Sequence, residues 1–197
     1  MANLRFVENE QEDINVRKRN LRAYMKEVRA LVDNRDVKEE NLQTHAFSFL
    51  EQERIKTGGK RVFVYLSFSS EADTDGLIDK LLQAGYDIYC PKTENGVMTA
   101  VQYGEDFTLS KFGTCEPIGE TLHTAPDYVI VPLLAVDEQG NRLGYGKGFY
   151  DAYLRKYPTA KRIGYGFACQ MRKEIPHHDA DEELTFFISE EGVRCLK

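Results

Sequence analysis

The chain has 197 residues, 42% of them hydrophobic and 29% charged, a globular balance with the length for one domain (1–197) and a sizeable core. A formal net charge of −6 argues against a general nucleic-acid binder, which needs a broad basic surface, but leaves room for a local basic pocket. The four cysteines, Cys90, Cys115, Cys169 and Cys195, show no CxxC spacing; this suggests neither a zinc ribbon nor a redox dithiol, and reads as reduced thiols.

No apolar run approaches membrane-spanning length. Residues 1–13 are polar and acidic and read as a frayed lead-in. They lack the apolar core of a signal peptide and are too acidic for a transit peptide, so a soluble cytoplasmic protein is expected.

A helix is predicted from about Asn15 to Val32, with Leu21, Met25, Val28 and Val32 on one stripe. Lys18, Arg22 and Arg29 fall within about 40° of one another around its axis and border that stripe. Such cations suit either a solvated face or the rim of a cleft. A second helix follows over about Lys38–Gln52, with Ala46, Phe47, Phe49 and Leu50 as its apolar contacts. The Gly58-Gly59 pair breaks it, and Val62–Phe68 reads as a buried parallel strand. Thr74 is the expected N-cap of a helix through Leu82, Gly85 ends that helix, and Asp87–Cys90 is the next strand. This βαβ unit implies an α/β fold with a parallel sheet. Glu71 sits just past the first strand, where open α/β sheets bind ligands, and reads as a ligand carboxylate or a solvated loop residue.

Residues 91–125 are less regular. A short strand is expected near Val97–Val101, an excursion under the core at Phe107–Phe112, and a turn at Cys115–Glu120. Tyr128–Val131 is a further strand. It leads into PLLAVDEQGNRLGYGKGFYD (Pro132–Asp151), and a helix follows over about Gly148–Lys156. Strands at Arg162–Tyr165 and Thr185–Ser189 complete the chain.

The glycine-rich stretch carries the clearest chemistry. Gly144, Gly146 and Gly148 alternate with larger residues, so their N–H groups can form an anion nest ahead of a helix start. Arg142 and Lys147 supply charge for phosphate oxygens. The spacing matches neither a Walker A loop nor GxGxxG. Asp151, in the first helical turn, could instead help to hold a magnesium ion bridged to phosphates. A zinc reading of IPHHDADEEL (Ile175–Leu184) is weak, because adjacent histidines point apart; a single carboxylate from this loop could complete a magnesium site.

Taken together these residues resemble the 5-formyltetrahydrofolate cyclo-ligase (5,10-methenyltetrahydrofolate synthetase) family. The central stretch looks like the family signature AFDxxGxRLGxGxGYYD. KRNLR (Lys18–Arg22) with Arg29, SFSSEADT (Ser67–Thr74), Pro91-Lys92, Glu116-Pro117, GFACQ (Gly166–Gln170) and the Pro176 to Asp181 spacing follow in order. The resemblance implies a mostly parallel central sheet with helices on both faces, similar to the phosphosugar isomerase and CoA-transferase folds. It implies ATP- and magnesium-dependent cyclisation of 5-formyltetrahydrofolate through an N5 iminium phosphate, by a monomeric enzyme that uses neither nucleic acid nor membrane.

Carried over by position, Lys18, Arg19, Asn20, Leu21 and Arg22 would contact ATP, Lys18 and Arg22 through its phosphates. Arg142, Leu143, Gly144, Tyr145, Gly146, Lys147, Gly148, Phe149 and Tyr150 would wrap the nucleotide, with Tyr145 through Phe149 also touching the folate. Glu71 would bind the pterin and Leu66 would line its pocket. Asp151 and Asp181 would hold magnesium, and Lys18, Arg22, Lys147 and Tyr150 would be catalytic. Val136 replaces the signature's phenylalanine and offers less aromatic wall, Phe149 replaces a tyrosine, and Thr185 stands where an acidic residue is common. Two other readings compete: a non-catalytic folate or nucleotide binder on the same fold, and a phosphosugar isomerase or acyl-CoA transferase.

Overall fold

A computed structural model describes residues 12–110 and 113–196. All but the last two residues of the expected lead-in lie outside the described residues, as does Phe112. The first helix, α1 (Ile14–Ala30), starts where Asp13 accepts a hydrogen bond from Asn15 N at 2.9 Å. The second, α2 (Arg35–Thr57), is longer at both ends than its apolar periodicity indicates; it closes on Gly58 at φ +72°.

Strand β1 is only Arg61–Val64. The expected strand continued to Phe68, but Tyr65 to Phe68 leave the sheet. Thr74 causes this departure. Its hydroxyl donates to Tyr65 O at 2.9 Å and accepts from Ser67 N at 3.1 Å, so it ties down the loop rather than capping helix α3 (Asp75–Gln83). Asp73 takes over the capping, accepting from Gly76 N at 3.2 Å. The end of α3 is a Schellman motif: Tyr86 N bonds Leu81 O, Gly85 N bonds Leu82 O, and Gly85 sits at φ +78°.

Strands β2 (Asp87–Glu94) and β3 (Val97–Gln102) form a hairpin turned by Asn95 and Gly96, both at positive φ, as a two-residue type I′ turn requires. Next come β4 (Phe107–Leu109) and β5 (Cys115–Pro117), an antiparallel ribbon of their own. Two expectations fail here. Cys115–Pro117 is a strand, because it finds a partner the local sequence does not announce. Phe107–Leu109 is exposed along its length, not under the core.

Strand β6 (Tyr128–Pro132) is buried throughout. The chain then forms β7 (Ala135–Asp137) and β8 (Arg142–Leu143), helix α4 (Phe149–Lys156), strand β9 (Lys161–Tyr165), a single 3-10 turn at Ala168–Gln170, and strands β10 (Met171–Arg172), β11 (Phe186–Ser189) and β12 (Gly192–Cys195). The main sheet has the order β12-β11-β9-β6-β1-β2-β3. Its five inner strands are parallel, and the edge strands β12 and β3 run antiparallel to their neighbours.

Alternation sends the side chains of these strands to two cores. Val62, Val64, Ile130, Ile163 and Ile188 pack with α2 and α3 through Leu42, Leu50 and Leu81. Phe63, Val129, Val131 and Phe187 pack on the opposite face with Tyr153 and Leu154 of α4. Helices therefore cover both faces of a mostly parallel sheet, as the sequence indicated. A third cluster joins Leu21 and Met25 of α1 to Leu134, Ala135 and Leu143 of the small sheet β10-β7-β8. Val136 faces the second core and is buried there, so its replacement of an aromatic residue alters packing beneath the glycine loop rather than a ligand wall. Thr185 likewise lies away from that loop, its hydroxyl bonding both N–H and C=O of Arg162. No helix among the described residues is long and apolar enough to cross a membrane.

Asp137 holds the turn that launches the glycine loop. It is fully buried, and its two oxygens accept from Gln139 N, Asn141 N, Asn141 Nδ2 and Ile175 N at 2.9–3.2 Å. Four donors and no cation make it a backbone organiser. Replacing Asp137 with Asn puts an amide N–H₂ against donors, and should cost about 3 kcal/mol of stability. The measurement is urea unfolding, with a lowered midpoint at unchanged slope as the expected result.

Candidate active site

A cleft of about 470 Å³ opens at the carboxyl ends of β1 and β6, where an open parallel sheet exposes its ligand-binding loops. Its floor and walls are the loop after β1, the glycine loop from Arg142 to Asp151, one face of α1, and the β5 ribbon.

The basic stripe of α1 turns inward. Lys18 is 6% exposed and Arg29 is 2% exposed, so the solvated-face reading is set aside. Lys18 Nζ pairs with Asp181 Oδ2 at 2.5 Å, and Arg22 Nε donates to Gly144 O at 2.8 Å. Arg29 reaches deeper, to Ser70 Oγ, Leu133 O and, at 2.5 Å, the Tyr145 hydroxyl. The residues between the cleft-facing positions do not line the cleft. Each helical step rotates by about 100°, so Arg19 and Asn20 are exposed and Leu21 is in the core. Of the run Lys18–Arg22 expected to contact ATP, Lys18 and Arg22 line the cleft.

The glycine loop is shaped by these cations. Gly146 has φ +87°, and a Cβ there would stand 3.0 Å from the Arg22 guanidinium. A Cβ at Gly144 would collide with Arg142 Nη1. Arg142 is buried; it donates to Pro132 O at 3.3 Å and to Asp151 Oδ1 at 3.0 Å. Gly148 at φ +71° is the N-cap of α4, which places Asp151 in the first turn. Lys147 lines the cleft from an exposed position, and Phe149 and Tyr150 line it from half-buried ones. The Tyr150 hydroxyl is buried and has no hydrogen-bond partner among the described residues.

Burial is the largest influence on Arg22 and lowers its pKa; Asp181 opposes that effect and Arg142 adds to it. Arg22 nonetheless stays charged. For Asp181, burial pushes the carboxyl up, but Lys18 and the His178 N–H more than reverse this and hold it below its usual range.

Asp151 and Asp181 approach one another through adjacent contacts: Glu182 N bonds Asp151 Oδ1 at 3.4 Å, and His178 N bonds Asp181 Oδ2 at 2.9 Å. All of these bonds land on one oxygen of each carboxylate. Asp151 Oδ2 and Asp181 Oδ1 are left without a protein donor among the described residues. Two hard carboxylate oxygens beside a phosphate-sized nest match what magnesium takes from proteins, the rest of its shell coming from phosphate and water. Among the described residues no group of three or more His, Cys, Asp and Glu is placed to hold a metal by itself.

Glu71 lies across the cleft and is 5% exposed. Burial pushes its carboxyl up to about 7, against the opposing pull of the Phe68 N–H, Arg29 and Tyr145. It is therefore no solvated loop residue. Leu66 and Phe68 line the same side, and the Phe68 and Tyr145 rings lie 5.6 Å apart.

Among the polar residues of the cleft that went unassigned in the sequence are Glu116 and His178. Glu116 of β5 is buried, and its Oε1 accepts from Thr93 N at 3.0 Å. His178 reaches Asn15 Oδ1 at 3.2 Å. The Glu116-Pro117 dipeptide marked the first, and the adjacent histidines of Ile175–Leu184 marked the second only through a weak zinc reading.

Comparison with known proteins agrees with this geometry. A family model described as the 5-formyltetrahydrofolate cyclo-ligase family matches residues 14–190. The 5-formyltetrahydrofolate cyclo-ligase of Escherichia coli (strain K12) is 32% identical over 67% of this chain and 79% of its own length. That of Mycolicibacterium smegmatis is 32% identical over 73% of this chain and 80% of its own. The solved structure of Aquifex aeolicus 5,10-methenyltetrahydrofolate synthetase superposes with a TM-score of 0.76 at 26% identity, covering 91% of this chain and 93% of that one. The matched span runs from before Asn15 to beyond Asp181 and so takes in every side chain of the cleft; this chain belongs to the 5-formyltetrahydrofolate cyclo-ligase family and is an enzyme of that kind.

Proposed function

We propose that the cleft performs ATP- and magnesium-dependent cyclisation of 5-formyltetrahydrofolate to 5,10-methenyltetrahydrofolate, releasing ADP and phosphate. The observation that carries this reading is the convergence of Lys18, Arg22 and Arg142 on a glycine nest flanked by Asp151 and Asp181. Phosphoryl transfer needs little covalent help from a protein; it needs alignment and charge neutralisation.

The chemistry balances as follows. The formyl oxygen attacks the γ-phosphorus, the bond to the β,γ-bridging oxygen breaks, and ADP leaves with that electron pair. The N5 lone pair stabilises the formyl carbon as an iminium phosphate. N10 attacks that carbon, the carbon–oxygen bond breaks, phosphate departs, and N10 loses its proton as the ring closes.

The chain's residues divide this work. Lys18 and Arg22 bind the phosphates, Lys18 giving up part of its pairing with Asp181 as it does so. The N–H groups of Gly144 to Gly148 and the start of α4 receive phosphate oxygens. Lys147 follows the transferred group, and Tyr150 offers a buried hydroxyl to an oxygen beside it. Asp151 and Asp181 would hold magnesium through their remaining oxygens, where the ion neutralises phosphate charge. Glu71 accepts N–H donors of the pterin, with Leu66 and Phe68 against its ring, and Tyr145 to Phe149 form the wall common to both ligands.

Purified protein should produce the near-ultraviolet band of methenyltetrahydrofolate only with ATP and magnesium present; no band with folded, nucleotide-binding protein refutes the reading. Lys18→Ala should raise KM for ATP by about tenfold or more, the loss of one charge-assisted phosphate contact. Glu71→Gln should instead raise KM for the folate. If either change moves both constants equally, the division of the cleft is wrong.

Glu71 also sets a dependence of stability on pH. Its carboxyl rises in the folded chain from the ordinary 4.5 to about 7. The fold therefore favours the protonated form. That contribution is complete below 4.5 and is lost as pH rises through 7. The span corresponds to a loss on the order of 3 kcal/mol. Thermal melts from pH 5 to pH 8 should fall more steeply for the wild type than for Glu71→Gln, and parallel curves would show that the carboxyl does not titrate there.

A further inference from the structure

Glu116 of β5 is 7% exposed, and among the described residues no cation pairs with it. One donor meets it there, Thr93 N at 3.0 Å from Oε1. Oε2 has no donor among those residues and, unlike the Tyr150 hydroxyl, is not sealed away, for Glu116 lines the cleft. Lys92, beside Thr93, pairs with Glu94 at 3.1 Å instead. A buried carboxylate with one oxygen unused is unfavourable unless donors come from elsewhere.

Holding the β4-β5 ribbon does not call for this charge. Main-chain bonds already fix the stretch after β5: Ile118 N to Asp106 O, Gln102 N to Glu120 O and Leu122 N to Ala100 O, all at 2.8–2.9 Å. A side-chain amide oxygen would serve Thr93 N as well as a carboxylate oxygen does. What an amide does not offer is a second acceptor turned to the cleft. The charge therefore points to a ligand with N–H or O–H donors.

The sheet order says which ligand. β2 is the neighbour of β1 on one side and β6 its neighbour on the other. Glu71 follows β1, and Glu116 is tied to Thr93 of β2, so the two carboxylates stand over adjacent strands. The groups suited to phosphate come from the opposite side: the glycine loop follows β6, and Asp181 precedes β11. Thr93 and Met98 are cross-strand partners and share a face, and Met98 packs with Phe149 in the second core. Together with Pro91 and Thr114 they make an uncharged wall around Glu116. A polyphosphate is repelled by a carboxylate in such a place, whereas a neutral ring carrying N–H groups is not.

We propose that Glu116 is a substrate-binding residue: its Oε2 accepts an N–H of the tetrahydrofolate, on the same side of the cleft as Glu71. This rests on the folate reading given above and adds a second carboxylate to it.

Glu116→Gln separates binding from architecture. Thr93 N holds the amide oxygen, so the amide N–H₂ is turned to the cleft and opposes the ligand's donor. Calorimetry without ATP should show 5-formyltetrahydrofolate bound about tenfold or more weakly, the loss of a charge-assisted bond. Magnesium-ATP affinity should change by less than about twofold, and the urea midpoint should stay in place. Glu116→Ala, which also strands Thr93 N, should weaken the folate at least as much and lower the midpoint. Wild-type folate affinity in Glu116→Gln, weakening of both ligands alike, or weakening of magnesium-ATP alone overturns the inference and leaves the folate reading standing. A wild type that binds no 5-formyltetrahydrofolate overturns that reading and the inference with it.

Discussion

Four cations, Lys18, Arg22, Arg29 and Arg142, stand together at the carboxyl ends of the parallel strands, and most of their length is out of water. Gathering like charge in a low-dielectric place is unfavourable by several kcal/mol per ion unless each is met by a partner. Each is met differently: Lys18 by Asp181, Arg142 by Asp151, Arg22 by a main-chain carbonyl of the glycine loop, and Arg29 by the Tyr145 hydroxyl. Those contacts join residues 122, 163 and 116 positions apart in three of the four cases. They dock the first helix on the glycine loop and on the loop before β11, and so the neutralisation of the cleft is also its closure.

The same arrangement explains why the cleft is poised rather than strained. Its anion partners are the protein's own carboxylates, each offering one oxygen to a cation and retaining another. A phosphate arriving between Lys18 and Arg22 substitutes for part of an interaction already present, so no bare charge has to be created or hidden. On the opposite wall the balance is reversed. Glu71 is held in a place that disfavours its charge, and the donors within the protein only partly compensate. One side of the cleft is therefore suited to polyanions, and the other to a neutral ring carrying N–H donors.

Much of this was legible in the sequence, and what was not has a common cause. The glycine loop announced itself because tight loops write their constraint locally: Gly146 and Gly148 at positive φ, the helix start behind them, Asp151 in its first turn. The basic stripe was visible as spacing, but its direction was not, because helical periodicity gives a face and not the partner of that face. Asp181, the partner of Lys18, and Tyr145, a partner of Arg29, lie more than 100 residues away. The same limit hid β5, which exists through pairing with β4, and hid the role of Thr74, whose hydroxyl looks like a cap but closes the loop after β1. Asp137 was read as part of a motif, whereas its four backbone and amide donors make it the turn on which that motif stands.

The position of Arg22 and Arg29 on one helix has a consequence for the glycine loop. Seven residues are nearly two turns, so the two guanidinium groups emerge from one face about 10 Å apart along the axis. Yet they grip consecutive residues, the carbonyl of Gly144 and the hydroxyl of Tyr145. A long side chain at position 145 spans that difference, and the hydroxyl at its end accepts from the arginine. A helix is a rigid ruler across two turns. The glycine loop, otherwise free to adapt because of its glycines, is thereby held at two adjacent points by one rigid element, with the nest on one side of the hold and the Glu71 wall on the other. Phe149, which carries no hydroxyl, lies beyond both points and before Asp151, whose bonds from Arg142 and Glu182 N hold the exit of the loop.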